Sequence, residues 1–205
     1  MASLQELEVE IRSIAAGYSG KWTCALTDLT NGGDIAIDAD DVMPTASLIK
    51  LPVLVALYQS VDAGSVALDQ RITYEEGHRC LGSGVLSMMS PGVAMSVRDA
   101  AVLMMSISDN SATNMCIDLV GVDGVNAKMR ALGLRETTLF LRLGDRSAGM
   151  DARKMSVSTA AEMARLLELI ARRHAVSPAS CDDMLRIIDA CGSAPSYRTY
   201  FPGTR

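Results

Sequence analysis

The spacing of apolar residues changes period along the chain, and each change marks an element. Leu4, Leu7, Ile11 and Ile14 recur at helical spacing behind Ser3 and Glu6, which stand three apart as a capping box. They predict a helix over about 4 to 16, closed by a left-handed Gly17. Lys21 to Leu29 is rich in strand formers, Asn31-Gly32-Gly33 carries turn chemistry, and Asp34 to Asp38 alternates polar with apolar. That pattern predicts a β-hairpin. After Asp40 the composition turns helical. Ser47 and Lys50 open an apolar run with no charge until Asp62, which predicts a buried helix. Pro52 cannot donate to the carbonyl of Leu48, so a kink is expected near residues 48 to 52.

Residues 64 to 95 read as connections around short elements, with Gly82-Ser83-Gly84 and Pro91-Gly92 among them. Ser96 and Asp99 launch a core helix over Val97 to Ile107, and Ala112 to Val120 resumes the pattern until Gly121. Between them lie Ser108-Asp109-Asn110, small polar residues that need partners at a junction of buried helices. A short amphipathic helix over Gly124 to Leu132 ends at Gly133, and 134 to 156 reads as a long loop with an extended piece near Thr137 to Leu141. Thr159 with Glu162 caps a helix from Ala160 to Arg172, and Ser177-Pro178 starts a last one to Ala190. The chain thus divides into an N-terminal helix and hairpin (1–43), an all-helical lobe (44–191) and a turn-rich connection (192–205).

Composition narrows the function classes. The chain has 205 residues, 49% of them hydrophobic, enough for a sizeable core. A net charge of -5 without a basic block argues against nucleic acid or an anionic membrane as partner, and no apolar run is long enough for a membrane span. The five cysteines are odd in number and include no Cys-x-x-Cys pair, so at least one thiol is free. With only two histidines besides, no metal site is expected, and no cofactor. The acidic N-terminus is unlike a secretory leader, and with the free thiol it favours a reducing, cytoplasmic setting. Trp22 and the thirteen methionines read as core filling.

Chemistry concentrates at Ser47 and Lys50. Residues three apart share a helix face, which brings a hydroxyl and an amine together in a desolvated spot, as an activated serine nucleophile requires. A single Ser-x-x-Lys arises about once by chance in a chain of this length, and a cap serine with a surface lysine is the plain alternative. Two facts weigh against that alternative. Lys50 is one of four lysines and lies on an apolar helix, and Ser108-Asp109-Asn110 follows at a helix junction.

Together these motifs resemble the class A β-lactamases and the related penicillin-binding proteins, whose motif set is Ser-x-x-Lys, Ser-Asp-Asn and Lys-Thr-Gly. The stretch from Gly82 through Val97 to Asn114 continues the resemblance, which covers residues 20 to about 190. It implies an α+β fold of the β-lactamase/transpeptidase type, with a helical lobe and an α/β lobe. It also implies a serine hydrolase opening β-lactams, or other amides or esters, through an acyl-enzyme. Ser47 would be the nucleophile, Lys50 its base, Ser108 a proton relay to the leaving nitrogen, and Asn110 and Ser83 substrate contacts. The amide N–H of Ser47 would form half of an oxyanion hole. Bringing a lysine from about 10.4 to about 7 takes about 4.6 kcal/mol, of the sign that burial supplies.

Two departures accompany the resemblance. No Lys-Thr-Gly follows, since no lysine occurs after Lys154, and the strands completing the family's five-stranded sheet are missing from the sequence. The expected explanations are a sequence cut short, or a second chain or swapped segment that completes the sheet; a degenerate, non-catalytic member acting as a binding module is the rival. The family is usually exported, which leaves the compartment open. The second departure is the deacylating glutamate: Leu139 to Asp145 offers none, and Glu136 and Asp145 read as solvated loop charges, so slow turnover of the acyl-enzyme is expected. His78 could line a pocket, but a lone loop histidine is more often a surface residue.

Overall fold

A computed structural model of the chain describes residues 3–145, 147, 149 and 151–192. In order, its elements are α1 (Leu4–Ala15), β1 (Cys24–Thr27), β2 (Asp34–Ile37), β3 (Met43–Pro44), α2 (Lys50–Asp62), β4 (Arg71–Thr73), β5 (Ala94–Ser96), α3 (Val97–Ser106), α4 (Asn110–Val120), α5 (Val122–Ala131), β6 (Thr138–Leu139), β7 (Ser156–Ser158), α6 (Ala160–Ala171) and α7 (Pro178–Gly192). Among the described residues no helix is long and apolar enough to cross a membrane.

α2 is the axis of the fold. Every residue from Lys50 to Tyr58 is buried, so that stretch of the helix has no solvent face, and α3, α4, α5 and α7 pack around α2. Its start differs from the expected kink. Ala46–Ile49 form a 3-10 turn and the α-helix begins at Lys50, so Pro52 falls in the first turn, where its missing N–H leaves no bond unmade. Thr45 anchors this entrance: its Oγ1 lies 2.6 Å from Ser156 Oγ and its N–H donates to the Ser156 carbonyl. β3 pairs with β7, which pairs with β6, all antiparallel. The far end is fastened by Asp62, whose carboxylate accepts from the Ser177 N–H and from the hydroxyls of Ser177 and Ser180.

The capping signals carry over into structure. Ser3 and Glu6, and Ser96 and Asp99, form reciprocal capping boxes, and the Thr159 hydroxyl accepts from the Glu162 N–H. α1 ends differently from its expected left-handed Gly17. Ala16 is right-handed, and Gly17 and Tyr18 donate to Ile14 and Ala15 in a tightened last turn. α7 runs two residues past the expected Ala190.

β1 and β2 form the expected hairpin, Cys24 opposite Ile37 and Thr27 opposite Asp34. Ile35 and Ile37 point inward, and α6 packs on β1. The other edge of β1 has no strand partner among the described residues. Beside β1 lies a groove of about 560 Å3 whose lining includes Leu26, Leu48, Met163, Leu167 and Leu185. Not all methionines fill the core, contrary to expectation: Met88 and Met89 stand on the surface. Trp22 is half-buried, in an apolar groove with Ile14 and Tyr18.

The junction between α3 and α4 is held by Asp109, 1% exposed, which caps α4 through the Ala112 N–H and accepts from the N–H groups of Val85 and Leu86. Gly84 makes room for that carboxylate. Its φ is +102°, and a Cβ there would lie 2.2 Å from Asp109 Cγ. Gly84→Ala is therefore expected to cost about 3 kcal/mol or more, read as a lower denaturant midpoint.

Asp183 on α7 gathers Arg98 of α3 and the buried Tyr58 of α2, with Arg186 beside it. The Arg98 guanidinium is the main cause that holds its carboxyl down at about 2, against 3.8 for the ordinary group. A depressed carboxyl stabilises the fold above the unfolded value and loses that contribution as pH falls through about 2. Asp183→Asn should cost about 2 kcal/mol at pH 7, and the gap in melting temperature between it and the parent should close toward pH 2.

Candidate active site

The 3-10 turn at 46–49 brings Ser47 and Lys50 to one side, because residues three apart eclipse in that geometry. Their side chains are joined by a third. Lys50 Nζ, on a residue 2% exposed, donates to the Ser108 carbonyl (2.5 Å), Ser108 Oγ (2.7 Å) and Asn110 Oδ1 (2.8 Å). Ser108 Oγ in turn lies 2.9 Å from Ser47 Oγ. Hydroxyl, hydroxyl and amine therefore form a chain, with Ser47 at its exposed end. Ser108 takes a left-handed φ of 56°, which turns both its carbonyl and its hydroxyl toward the lysine.

Burial lowers the Lys50 pKa to about 8, and the Asp109 carboxylate, which favours the ammonium, keeps it from falling further. Three acceptors around one Nζ satisfy an ammonium completely. Loss of one proton leaves a lone pair facing Ser108 Oγ, and the hydrogen bonds between the three groups can then reverse.

Ser47 and Asn110 line a cleft of about 300 Å3 together with Cys80, Leu81, Leu143 and Gly144, and it is closed by Ala46, Ala152, Met155 and Ser156. Asn110 Nδ2 donates to the Leu81 carbonyl, which fixes the amide orientation and leaves its second N–H for a ligand. Ser83 reaches the site through its carbonyl, which accepts from the Asn110 N–H; its side chain is exposed and lies outside the cleft lining. The wall at Leu143 is set by Asn114, buried on α4, which accepts from the Leu143 N–H and donates to the Leu143 carbonyl.

No carboxylate lines the cleft among the described residues. Glu136 and Asp145 are exposed, and Asp145 binds Ser147. His78 also lies outside. Its Nδ1 accepts from the Glu75 N–H and its Nε2 meets Asp118, which Arg142 shares.

Sequence reasoning singled out Ser47, Lys50, Ser108, Asn110 and Ser83; the fold brings the first four into one hydrogen-bonded group and leaves the Ser83 side chain outside the cleft lining. It missed Asp109 and Asn114 as supports, and Cys80, Leu143, Met155 and Ser156 as walls. Gly84 was the available signal for Asp109, since a glycine in a Gly-x-Gly turn marks a close approach of other atoms. The wall residues gave none, because apolar cleft residues read as core.

Three likenesses accompany this geometry. A beta-lactamase from Sphaerobacter thermophilus superposes with a TM-score of 0.80 at 31% identity, over 88% of this chain and 68% of that one. A mutant of PBP-A, solved as an acyl-enzyme complex with penicillin G, superposes with a TM-score of 0.79 at 30% identity, over 90% of this chain and 68% of that one. The beta-lactamase regulatory protein BlaB of Streptomyces cacaoi is 31% identical over 113 residues, 55% of this chain and 36% of its own length. The chain thus spans about a third of that curated relative and about two thirds of the solved structures. The profile of the Beta-lactamase enzyme family matches residues 6–202, and on that match the chain belongs to the Beta-lactamase enzyme family.

Proposed function

We propose that this chain carries the nucleophile half of a serine acyltransferase site, opening β-lactams or related amides and esters through an ester on Ser47. The hydrogen-bonded chain from Ser47 through Ser108 to Lys50 is the observation that carries the reading. With Lys50 neutral, the Ser47 hydroxyl gives its proton to Ser108 Oγ as Ser108 gives its own to Lys50 Nζ, and the Ser47 oxygen attacks the carbonyl. Ser108 then returns a proton to the leaving nitrogen, and Lys50 resupplies Ser108, so one proton travels from nucleophile to leaving group. Asn110 orients the substrate amide with its spare N–H. The Ser47 N–H, in the first turn where such groups have no partner within the helix, faces the developing oxyanion.

The cleft without a carboxylate supports a long-lived ester, since among the described lining residues no carboxylate stands beside Leu143 to activate a water. The unpaired edge of β1 and the groove beside it support completion of the sheet by further strands, from this polypeptide or from a second chain. A second reading draws on the same missing carboxylate: a protein that holds its acyl group suits a receptor better than a hydrolase, in keeping with the name of the Streptomyces relative.

The test is intact-protein mass spectrometry after incubation with benzylpenicillin. A penicilloyl adduct is expected, absent in Ser47→Ala, and the rate of its formation should rise with pH through about 8 as Lys50 loses its proton. A folded chain that takes no adduct at any pH would refute self-sufficient acylation and leave the binding module. For the lifetime of the ester, Leu143→Glu should shorten it at least about tenfold by placing a general base in the cleft wall, followed as decay of the adduct mass.

A further inference from the structure

We infer that the cleft beside Ser47 selects substrates whose acyl arm is uncharged and apolar, and discriminates against acyl arms bearing a carboxylate or an ammonium; the inference rests on the acyl-transfer reading above. Which arm enters the cleft follows from Ser108. As the group that returns a proton to the leaving nitrogen, Ser108 marks the departing side, and it does not line the cleft. The acyl arm is therefore the one that lies along Leu81, Leu143 and Met155.

That lining carries no charged side chain among the described residues. Its polar groups are committed to the protein save for one Asn110 N–H, which the substrate amide takes. Asn110 Oδ1 accepts from Lys50 and its Nδ2 donates to the Leu81 carbonyl, while Ser156 Oγ is bonded to Thr45. The Cys80 sulfur points to the Leu81 carbonyl, and burial raises its pKa, so the thiol stays neutral. Two nearby cations are held outside the lining: Lys50 places its donors on Ser108 and Asn110, and Arg142 Nη2 is bound to Asp118 and the Gly77 carbonyl. An ionised group entering this cleft loses water and meets no opposite charge in the lining among the described residues, whereas an aryl or alkyl group gains by burial against leucine and methionine.

The discriminating probes share one phenyl ring: benzylpenicillin, neutral in its acyl arm; carbenicillin, with an added α-carboxylate; and ampicillin, with an added α-amine. Second-order rates of adduct formation, read by intact mass at equal concentration, should favour benzylpenicillin by about tenfold or more over both. Equal rates, or a preference for either charged arm, would overturn the inference.

A readout without acylation keeps it separate from the catalytic reading. Ser47→Ala protein carrying 13C-methyl methionine is titrated with phenylacetamide and with phenylmalonamic acid, its α-carboxy analogue. The Met155 methyl resonance should shift with the first at least about tenfold lower in concentration than with the second. No shift with phenylacetamide, or equal response to both, sinks the selectivity whether or not the parent chain is acylated. A selective shift in a chain that takes no penicilloyl group would uphold the cleft's preference while refuting the acyl-transfer reading. Met155→Lys supplies the missing partner and should bring the binding of phenylmalonamic acid up to or beyond that of phenylacetamide; an unchanged ratio in the folded variant counts against the cleft as the seat of discrimination.

Discussion

An amine buried at the start of an apolar helix governs this structure. Lys50 has no water to solvate it, so its ammonium is stable only where acceptors converge, and Ser108 and Asn110 supply all three. Those acceptors sit on a different segment, the α3–α4 junction, which must therefore be rigid. Asp109 provides that rigidity by tying the junction to the backbone of the 82–86 loop, and its charge also tempers the effect of burial on the lysine. One carboxylate thus has both a mechanical and an electrostatic part. Removing the lysine's water without supplying these acceptors would leave a group too costly to bury; supplying them without burial would leave an ordinary lysine.

The helices were legible in the sequence because their signals are local. Ser3 with Glu6, Ser96 with Asp99 and Thr159 with Glu162 each declare a helix start within four residues, and each start is where it was expected. Of the short strands only β6 was legible, as the extended piece near Thr137 to Leu141; β4, β5 and β7 interrupt the stretch read as all-helical, and β3 stands at its edge. β3 and β7 are two or three residues long, and they pair with each other about 115 positions apart, which no window along the chain can register. Pro52 was read correctly as an obstacle and wrongly as a kink, since shifting the α-helix start to Lys50 removes the conflict at no cost. The four polar site residues stood out because polar groups are rare among buried helices. The cleft walls did not, because Leu143 and Met155 look like any core residue until the fold leaves them facing a void.

The relatives bear on what the chain can share with them. Similarity to the solved structures runs over about nine-tenths of this chain but only 68% of theirs, so what is shared is most of this chain and about two thirds of those. Within this chain, the cleft wall carries no charged side chain among the described residues. On the proposed function, a long-lived ester and a preference for neutral arms would have one origin, the same uncharged wall.

The fastenings of α2 have a consequence for biosynthesis. Its entrance is tied to Ser156, its middle to Asp183 through Tyr58, and its end to Ser177 and Ser180, all more than a hundred positions later in the chain. A polypeptide emerging from the ribosome presents Ser47 and Lys50 more than a hundred residues ahead of the segments that lock their helix. Until then the lysine is hydrated and ordinary, and the serine is no more reactive than any other. Any reactivity that the proposed acyl transfer gives Ser47 therefore begins only with the finished fold.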